Sequence, residues 1–277
     1  MPGFDTVSEP LLRLGIFAGV FALMAGLEVV LPQRRLRVDR RRRWPTNLGL
    51  AVTGSVLVRL MAMLAAPLVA VGAALLAAER GWGLFNLIGW PLPLAFAATL
   101  LALDFAIWLQ HVASHKIPLL WRFHRMHHAD IDFDLTTGIR FHPVEIGLSM
   151  LYKVVCVVAL GAPAAAVVAF EVILNGCAMF NHANVRLPPA LDRLMRWVIV
   201  TPDMHRVHHS IDAREHDSNY GFNLAIWDRL LGTYTTAPAA GLQAMTIGLA
   251  PWQDAAPTGL RWCLCVPWRQ RDSASDT

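Results

Sequence analysis

The chain has 277 residues, of which 55% are hydrophobic and 16% charged, with a mean hydropathy of +0.44 and a net charge of +4. Ordinary soluble domains carry about 25% charged residues, so this composition excludes a conventional soluble enzyme and points to a multi-pass membrane protein. The basic excess is concentrated beside an apolar run, which removes the argument for a nucleic-acid partner. The four cysteines, Cys156, Cys177, Cys263 and Cys265, form no Cys-x-x-Cys pair, so neither a disulfide framework nor a zinc ribbon is expected.

Residues 1–10 are short and acidic, with Asp5 and Glu9, and lack the basic start of a cleaved signal peptide. Residues 11–31 are long enough to span a bilayer, with Arg13 and Glu28 near the two ends, where they can snorkel. The run Arg34, Arg35, Arg37 and Arg40 to Arg43 follows. Beside a span, such a run marks the cytoplasmic flank. Residues 47–78 form a second apolar stretch, interrupted by Arg59 and Pro67, with residues 60–78 as the expected membrane part. After a turn at residues 79–83, residues 94–110 form a third span that returns to the cytoplasmic side.

Residues 117–141 are polar enough for a cytosolic cap. Residues 143–160, a turn at 161–163 and residues 164–180 read as a membrane hairpin, with Pro143 suited to a first helical turn. Leu187-Pro188-Pro189 then opens a helix over 190–200, Thr201-Pro202-Asp203 resembles a helix cap, and residues 219–223 form a turn before a short helix around Trp227 and Asp228. Residues 242–268 are again partly apolar, suited to packing on the membrane or on the cap. The polar tail 269–277 is expected to be disordered. The division that results is an N-terminal anchor over 1–99, a histidine-rich region over 100–236 that includes the hairpin 143–180, and a tail over 237–277.

Histidine placement carries the chemistry. Eight of the 11 histidines fall in three clusters: His111 and His115; His124, His127 and His128; His205, His208 and His209. Offsets of three and four put side chains on one helix face, about 5–6 Å apart at Cβ, and imidazole is a ligand for iron, zinc and copper alike. A lone pair of this kind is often a surface feature or a stabilising clip; three clusters with matching offsets point to a shared metal site. The predicted spans place all three on one side of the bilayer.

The order His-x-x-x-His, His-x-x-His-His and again His-x-x-His-His resembles the membrane fatty acid hydroxylase / sterol desaturase superfamily. So do Arg140-Phe-His142-Pro-Val-Glu145, Phe180-Asn-His182-Ala-Asn184, Thr201-Pro-Asp-Met-His205, Asn219-Tyr-Gly-Phe222 and Trp227-Asp-Arg-Leu-Leu-Gly-Thr-Tyr234. The resemblance covers about residues 100–234. It implies an all-α, polytopic membrane protein whose cytosolic helical cap holds a dinuclear iron site. With O2 and electrons from outside, such a site hydroxylates or desaturates a C–H bond of a fatty acyl, sterol or related lipid. Carried over by position, the metal ligands are His111, His115, His124, His127, His128, His205, His208 and His209, with His182 as the further histidine after the hairpin. Zinc would also accept these rings in a purified form.

Helical spacing adds Asp104, Glu171 and Asn175 as outer partners of the ligand rings, and proximity to the third cluster adds Asp217, Asn219 and Asp228. His142 is expected to make a structural hydrogen bond and His216 to lie on the surface. Trp121, Phe123 and Phe133 are expected to pack the cap. No Gly-rich dinucleotide fingerprint and no haem or iron–sulfur cysteine pattern occurs, so a separate cytochrome, ferredoxin or reductase is expected as electron donor. Arg122, Arg125, Arg193, Arg196 and Arg206 would offer it a basic face. The competing reading is a metal-binding transporter or sensor without redox catalysis; the gathering of histidines on one side disfavours it, because transport needs ionisable groups along a transmembrane path.

Overall fold

The computed structural model describes residues 8–254 and 256–269. Residues 1–7, and all of the polar tail except Arg269, lie outside the described residues. Within them the chain is helical, with isolated bridges and no strand. Five helices are long and apolar enough to cross a membrane. These are α1 (Ser8–Val30), α2 (Arg40–Leu64), α5 (Leu92–Lys116), α7 (Pro143–Leu160) and α8 (Ala164–Asn181). Two short helices, α3 (Ala70–Arg80) and α4 (Leu84–Leu87), link α2 to α5.

The second span is a correction to the sequence reading. It runs over Arg40–Leu64 rather than over residues 60–78, and the arginine run forms its first turn. The Asp39 side chain caps it by accepting from the Arg41 backbone N–H at 2.7 Å. Pro67 then breaks the apolar stretch. Arg59, before which the sequence reading places no span, instead sits within the helix as an exposed residue, and Arg43 at the helix start is neutralised. The Arg43 guanidinium is buried and donates to both Asp130 oxygens at 2.9 and 2.7 Å and to Asp134 at 2.6 Å.

The ends of α1 also differ from the snorkelling expectation. Glu28 is buried and accepts from the backbone N–H groups of Leu135 at 2.7 Å and Asn184 at 2.8 Å. It thereby ties two loops to one helix end. Arg13 donates to Glu171 at 2.6 Å, and Glu171 also accepts from Lys153 at 2.8 Å. That trio clamps α1, α7 and α8 together inside the membrane layer, where unpaired charges are costly.

The intramembrane core lies where α3, α5, α7 and α8 meet: Ala70, Ala73 and Ala74 against Leu103, Ile107, Val157, Val167 and Phe170. Alanines let α3 approach closely, as small residues do between helices in lipid. The hairpin turn depends on Gly161, which closes α7 at φ +66°; Gly83 packs on its backbone, where an added Cβ would stand 2.0 Å from the Gly161 nitrogen.

The cap is built from α6 (Pro118–His128), α9 (Pro189–Met195), α10 (Pro202–His208), α11 (Ala213–His216), α12 (Ile226–Leu230) and α13 (Gly241–Ala244). The helix expected over 190–200 stops at Met195; the chain then extends so that Val200 and Ala225 bond to Asn223 and Val198. The C-terminal segment, with α14 (Leu260–Cys265), packs on the cap and on α2, through Leu50, Trp121, Met126, Trp262 and Val266. Arg140 and Arg125 hold it by donating to the carbonyls of Pro257 at 2.9 Å and Val266 at 2.7 Å. All four cysteines are free, and Cys263 accepts from Arg140 at 3.2 Å.

Candidate metal centre

Local sequence explains how the rings come together. His111 and His115 occupy the last turns of α5. Ile117 is extended, as a residue before proline prefers, and Pro118 starts α6 at once, folding the face with His124, His127 and His128 back towards α5. His182 closes α8. Thr201 caps α10 by accepting from the Met204 N–H at 3.4 Å, and Pro202 occupies its first turn, so His205, His208 and His209 point to the same place. Gly138 lets the turn after α6 lie on the end of α8; a Cβ there would stand 2.3 Å from the Ala178 carbonyl oxygen.

Nine histidines meet in two groups. One holds His111, His115, His124, His128 and His208, the other His127, His182, His205 and His209, and within each group the potential donor atoms lie within 4.8 Å of one another. Eight of the nine residues are buried, and the His115 side chain is only 1% exposed.

Hydrogen bonds fix the ring tautomers. His111 Nδ1 donates to the Tyr220 carbonyl at 2.6 Å, His127 Nδ1 to Arg140 at 3.1 Å, His182 Nδ1 to Ala178 at 2.8 Å and His208 Nδ1 to Ser218 at 2.6 Å. Carbonyl oxygens only accept, so each of these neutral rings presents a bare Nε2. His124 donates from Nδ1 to the Glu145 carboxylate at 2.7 Å, which turns its Nε2 towards the other rings. Yet His111 Nε2 faces His124 Nε2 at 3.2 Å, and His127 Nε2 faces His182 Nε2 at 3.2 Å.

Two lone pairs at that separation, as at His127 and His182, repel unless a cation lies against them, and a proton is a poor candidate there. Burial, followed by the neighbouring rings, pushes His127, His128, His205 and His209 well below the ordinary imidazole range. Burial does the same to His208 despite its carbonyl partner, and takes His182 down to about 3. His208 Nε2 and both ring nitrogens of His209 are buried and have no hydrogen-bond partner among the described residues. Each group therefore fits a divalent ion that accepts several imidazoles.

The other expected residues are distributed unevenly around the rings. Asp217 lies 3.3 Å from His115 Nδ1 and pairs with Lys116 at 2.5 Å. Asp228 acts one bond further out. It accepts from the Tyr220 and Gly221 N–H groups, each at 2.9 Å, and so holds the carbonyl that orients His111. Asn219, at φ 52°, donates to the carbonyls of Met204 and Thr235.

Asp104 accepts from Trp227, Asn175 donates to the Glu171 carbonyl, and Glu171 holds Arg13 and Lys153. Helical periodicity assigns a residue a face but not a height. Seven residues along a helix are about 10 Å and eleven about 16 Å, too far for a side chain to reach the ring.

Besides Asp217 near His115, the carboxylate hydrogen-bonded to a ring is Glu145, which lies within the expected hairpin. Its signal was its place in the first turn of α7, just after the cap loop. His142 caps that helix, its Nδ1 accepting from Val144 at 3.2 Å. His216 is half-buried rather than on the surface and stacks on Trp121 at 5.7 Å. Of the five arginines expected to form a docking face, Arg125, Arg196 and Arg206 are buried, while Arg122 and Arg193 are exposed.

The fatty acid hydroxylase family model matches residues 96–233, the stretch that carries all nine histidines. This chain belongs to the fatty acid hydroxylase superfamily. It is similar to an ornithine lipid hydroxylase, OlsE, of Rhizobium tropici, with 31% identity over 54% of this chain and 44% of that protein. The alkylglycerol monooxygenase of Homo sapiens is 31% identical over 56% of this chain and 34% of its own length. The cholesterol 25-hydroxylase of Homo sapiens is 28% identical over 51% of each. The chain thus spans about a third to a half of the length of these relatives. No solved structure matches it. The family match covers the histidine-bearing region, while α1 to α4 and the segment after residue 233 lie outside it.

Proposed function

We propose that the chain is a non-haem di-iron membrane oxygenase that hydroxylates a C–H bond of a lipid. One iron would be held by the five-ring group and one by the four-ring group. The observation that carries the reading is the facing of Nε2 atoms in each group, with His127 and His182 both held in the tautomer that leaves Nε2 bare. That arrangement suits a cation and is unfavourable without one. The names of the relatives, each a lipid hydroxylase or monooxygenase, support lipid oxidation as the class.

When bound, the irons would supply activation of O2, which no side chain provides. The chain's own residues do the rest. The carbonyls of Tyr220, Arg140, Ala178 and Ser218 hold four rings in the ligating tautomer. Glu145 holds a fifth, His124, and adds negative charge beside it. Phe141 stacks on His127 with ring centroids 4.5 Å apart and Phe133 on His182 at 5.4 Å, so apolar rings exclude water from the four-ring side.

The arginine run lies at the same end of the helices as the histidines, since Arg43 binds Asp130 and Asp134 between the second cluster and α7. By the positive-inside rule that end is cytoplasmic. Hydroxylation consumes O2 with two electrons and two protons and releases water, so a separate electron donor is part of the proposal.

The test is metal analysis together with lipid analysis in membranes holding the intact protein. Two ions per chain and oxygen from labelled O2 in a lipid product are expected. His127→Ala and His208→Ala should each abolish the product while leaving membrane insertion intact. A metal-bearing protein that moves ions across proteoliposomes and leaves every lipid unchanged would favour the transporter reading instead.

A further inference from the structure

Two short cap helices carry an apolar surface that neither the spans nor the metal centre explain. Leu194 of α9 is 68% exposed, Trp197 just after it 64% and Leu230 of α12 67%, and Val198, Ile226 and Leu231 are exposed beside them. The two helices form one module. Ala225 N–H donates to the Val198 carbonyl at 3.0 Å, Val200 N–H to the Asn223 carbonyl at 2.9 Å, and the Arg229 guanidinium lies 4.4 Å over the Trp197 ring while donating to the Arg196 carbonyl.

Depth is set by α5. Trp227 of α12 donates to Asp104 at 2.7 Å and packs on Phe105 with ring centroids 5.0 Å apart. Asp104 is midway along that membrane-crossing helix, about 10 Å below His111 at 1.5 Å per residue. On the same helix Leu101, Phe105 and Leu109 are exposed, so the surface of the module continues the lipid-facing surface of a span. Charge agrees with this. Asp192 is turned inward to Thr201 at 2.6 Å and Arg196 at 2.7 Å, whereas Arg193 is exposed. A tryptophan and a basic residue beside an aliphatic face suit the headgroup boundary.

We propose that α9, the turn after it and α12 are immersed in the bilayer leaflet on the histidine side, with lipid acyl chains as the partner of this surface. The cap is then not purely aqueous. Immersion also bears on the centre: α12 supplies Asp228, which accepts from Trp108 at 3.0 Å and holds Tyr220, whose carbonyl orients His111.

The experiment places an environment-sensitive fluorophore on single cysteines at Leu194→Cys, Trp197→Cys and Leu230→Cys, with the four native cysteines replaced by alanine. The protein is reconstituted in phosphatidylcholine–phosphatidylglycerol vesicles containing nitroxide-labelled lipid. Leu109→Cys is the lipid-facing control and Arg122→Cys the aqueous one. Quenching at the three sites within about twofold of Leu109→Cys, and at least about threefold above Arg122→Cys, is expected for immersed side chains. Quenching at the Arg122→Cys level overturns the proposal, including the case in which a second copy or another protein covers the patch. The protein with its native cysteines gives a second readout. Brominated lipid should quench a smaller share of tryptophan fluorescence in W197F than in the parent; an unchanged quenchable share overturns the proposal.

Discussion

Glu145→Gln is the sharpest probe of how this chain would hold its ions. Glutamine keeps an oxygen in place to accept from His124 Nδ1 but removes the negative charge 2.7 Å from that ring nitrogen. The Glu145 side chain is 12% exposed, so solvent screens little of that charge. Outer carboxylate partners of ligand histidines contribute about 10- to 100-fold in metal affinity, equivalent to about 1.4 to 2.7 kcal/mol. The effect should fall on the five-ring group alone, because the hydrogen-bonded rings of the four-ring group rest on neutral backbone and amide oxygens. Anaerobic titration of the metal-free protein with Co2+, followed by visible absorbance, separates the two sites. The variant should lose about 10- to 100-fold in one step and keep the other. Two steps unchanged from the parent, or both weakened equally, would refute the assignment of Glu145 to one ion.

Three further outcomes follow from the same structure. Arg43→Met leaves Asp130 and Asp134 buried without their cation and should cost about 3–5 kcal/mol; a loss below about 1 kcal/mol in detergent unfolding would show that the network matters little. Gly138→Ala drives a Cβ into the Ala178 carbonyl and within 3.1 Å of His182 Nδ1, so metal content should fall at the four-ring group first, as read by titration.

For the metal-free protein, stability should fall as pH drops below about 6.5, because buried rings such as His182, at about 3, stay neutral in the fold while the unfolded chain takes up protons. Asp130 adds a second, lower window. Burial raises its pKa, but Arg43 and Arg140 outweigh this and hold it at about 2, so its contribution is present above about 4 and lost as pH falls through 2. Unfolding midpoints that stay flat from pH 7 to pH 5 would contradict the first window.

How far the sequence could be read differs from element to element. Spans α1, α5, α7 and α8 were legible because hydropathy needs only length and composition, and lipid solvates every apolar face alike. The bounds of α2 were not, because Arg59 reads as a break in the apolar stretch, whereas the helix carries that single exposed charge through to Leu64 and breaks at Pro67. Nor was the inward turn of Arg43, Arg125 and Arg206, because a buried arginine looks like a solvated one until its partners elsewhere in the chain are seen beside it. His142 was placed as a structural residue from its position before Pro143, a local signal that α7 keeps.

By itself, then, the sequence determined what is local or compositional: an apolar helical chain, three histidine clusters at helix-face offsets, and proline-started helices that present them. Only the tertiary structure decided how nine rings divide five and four and which carboxylate hydrogen-bonds one of them. Those depend on height along a helix and on partners more than a hundred residues apart, as with Tyr220 and His111. Periodicity reports the face a residue occupies, but packing alone sets what that face meets.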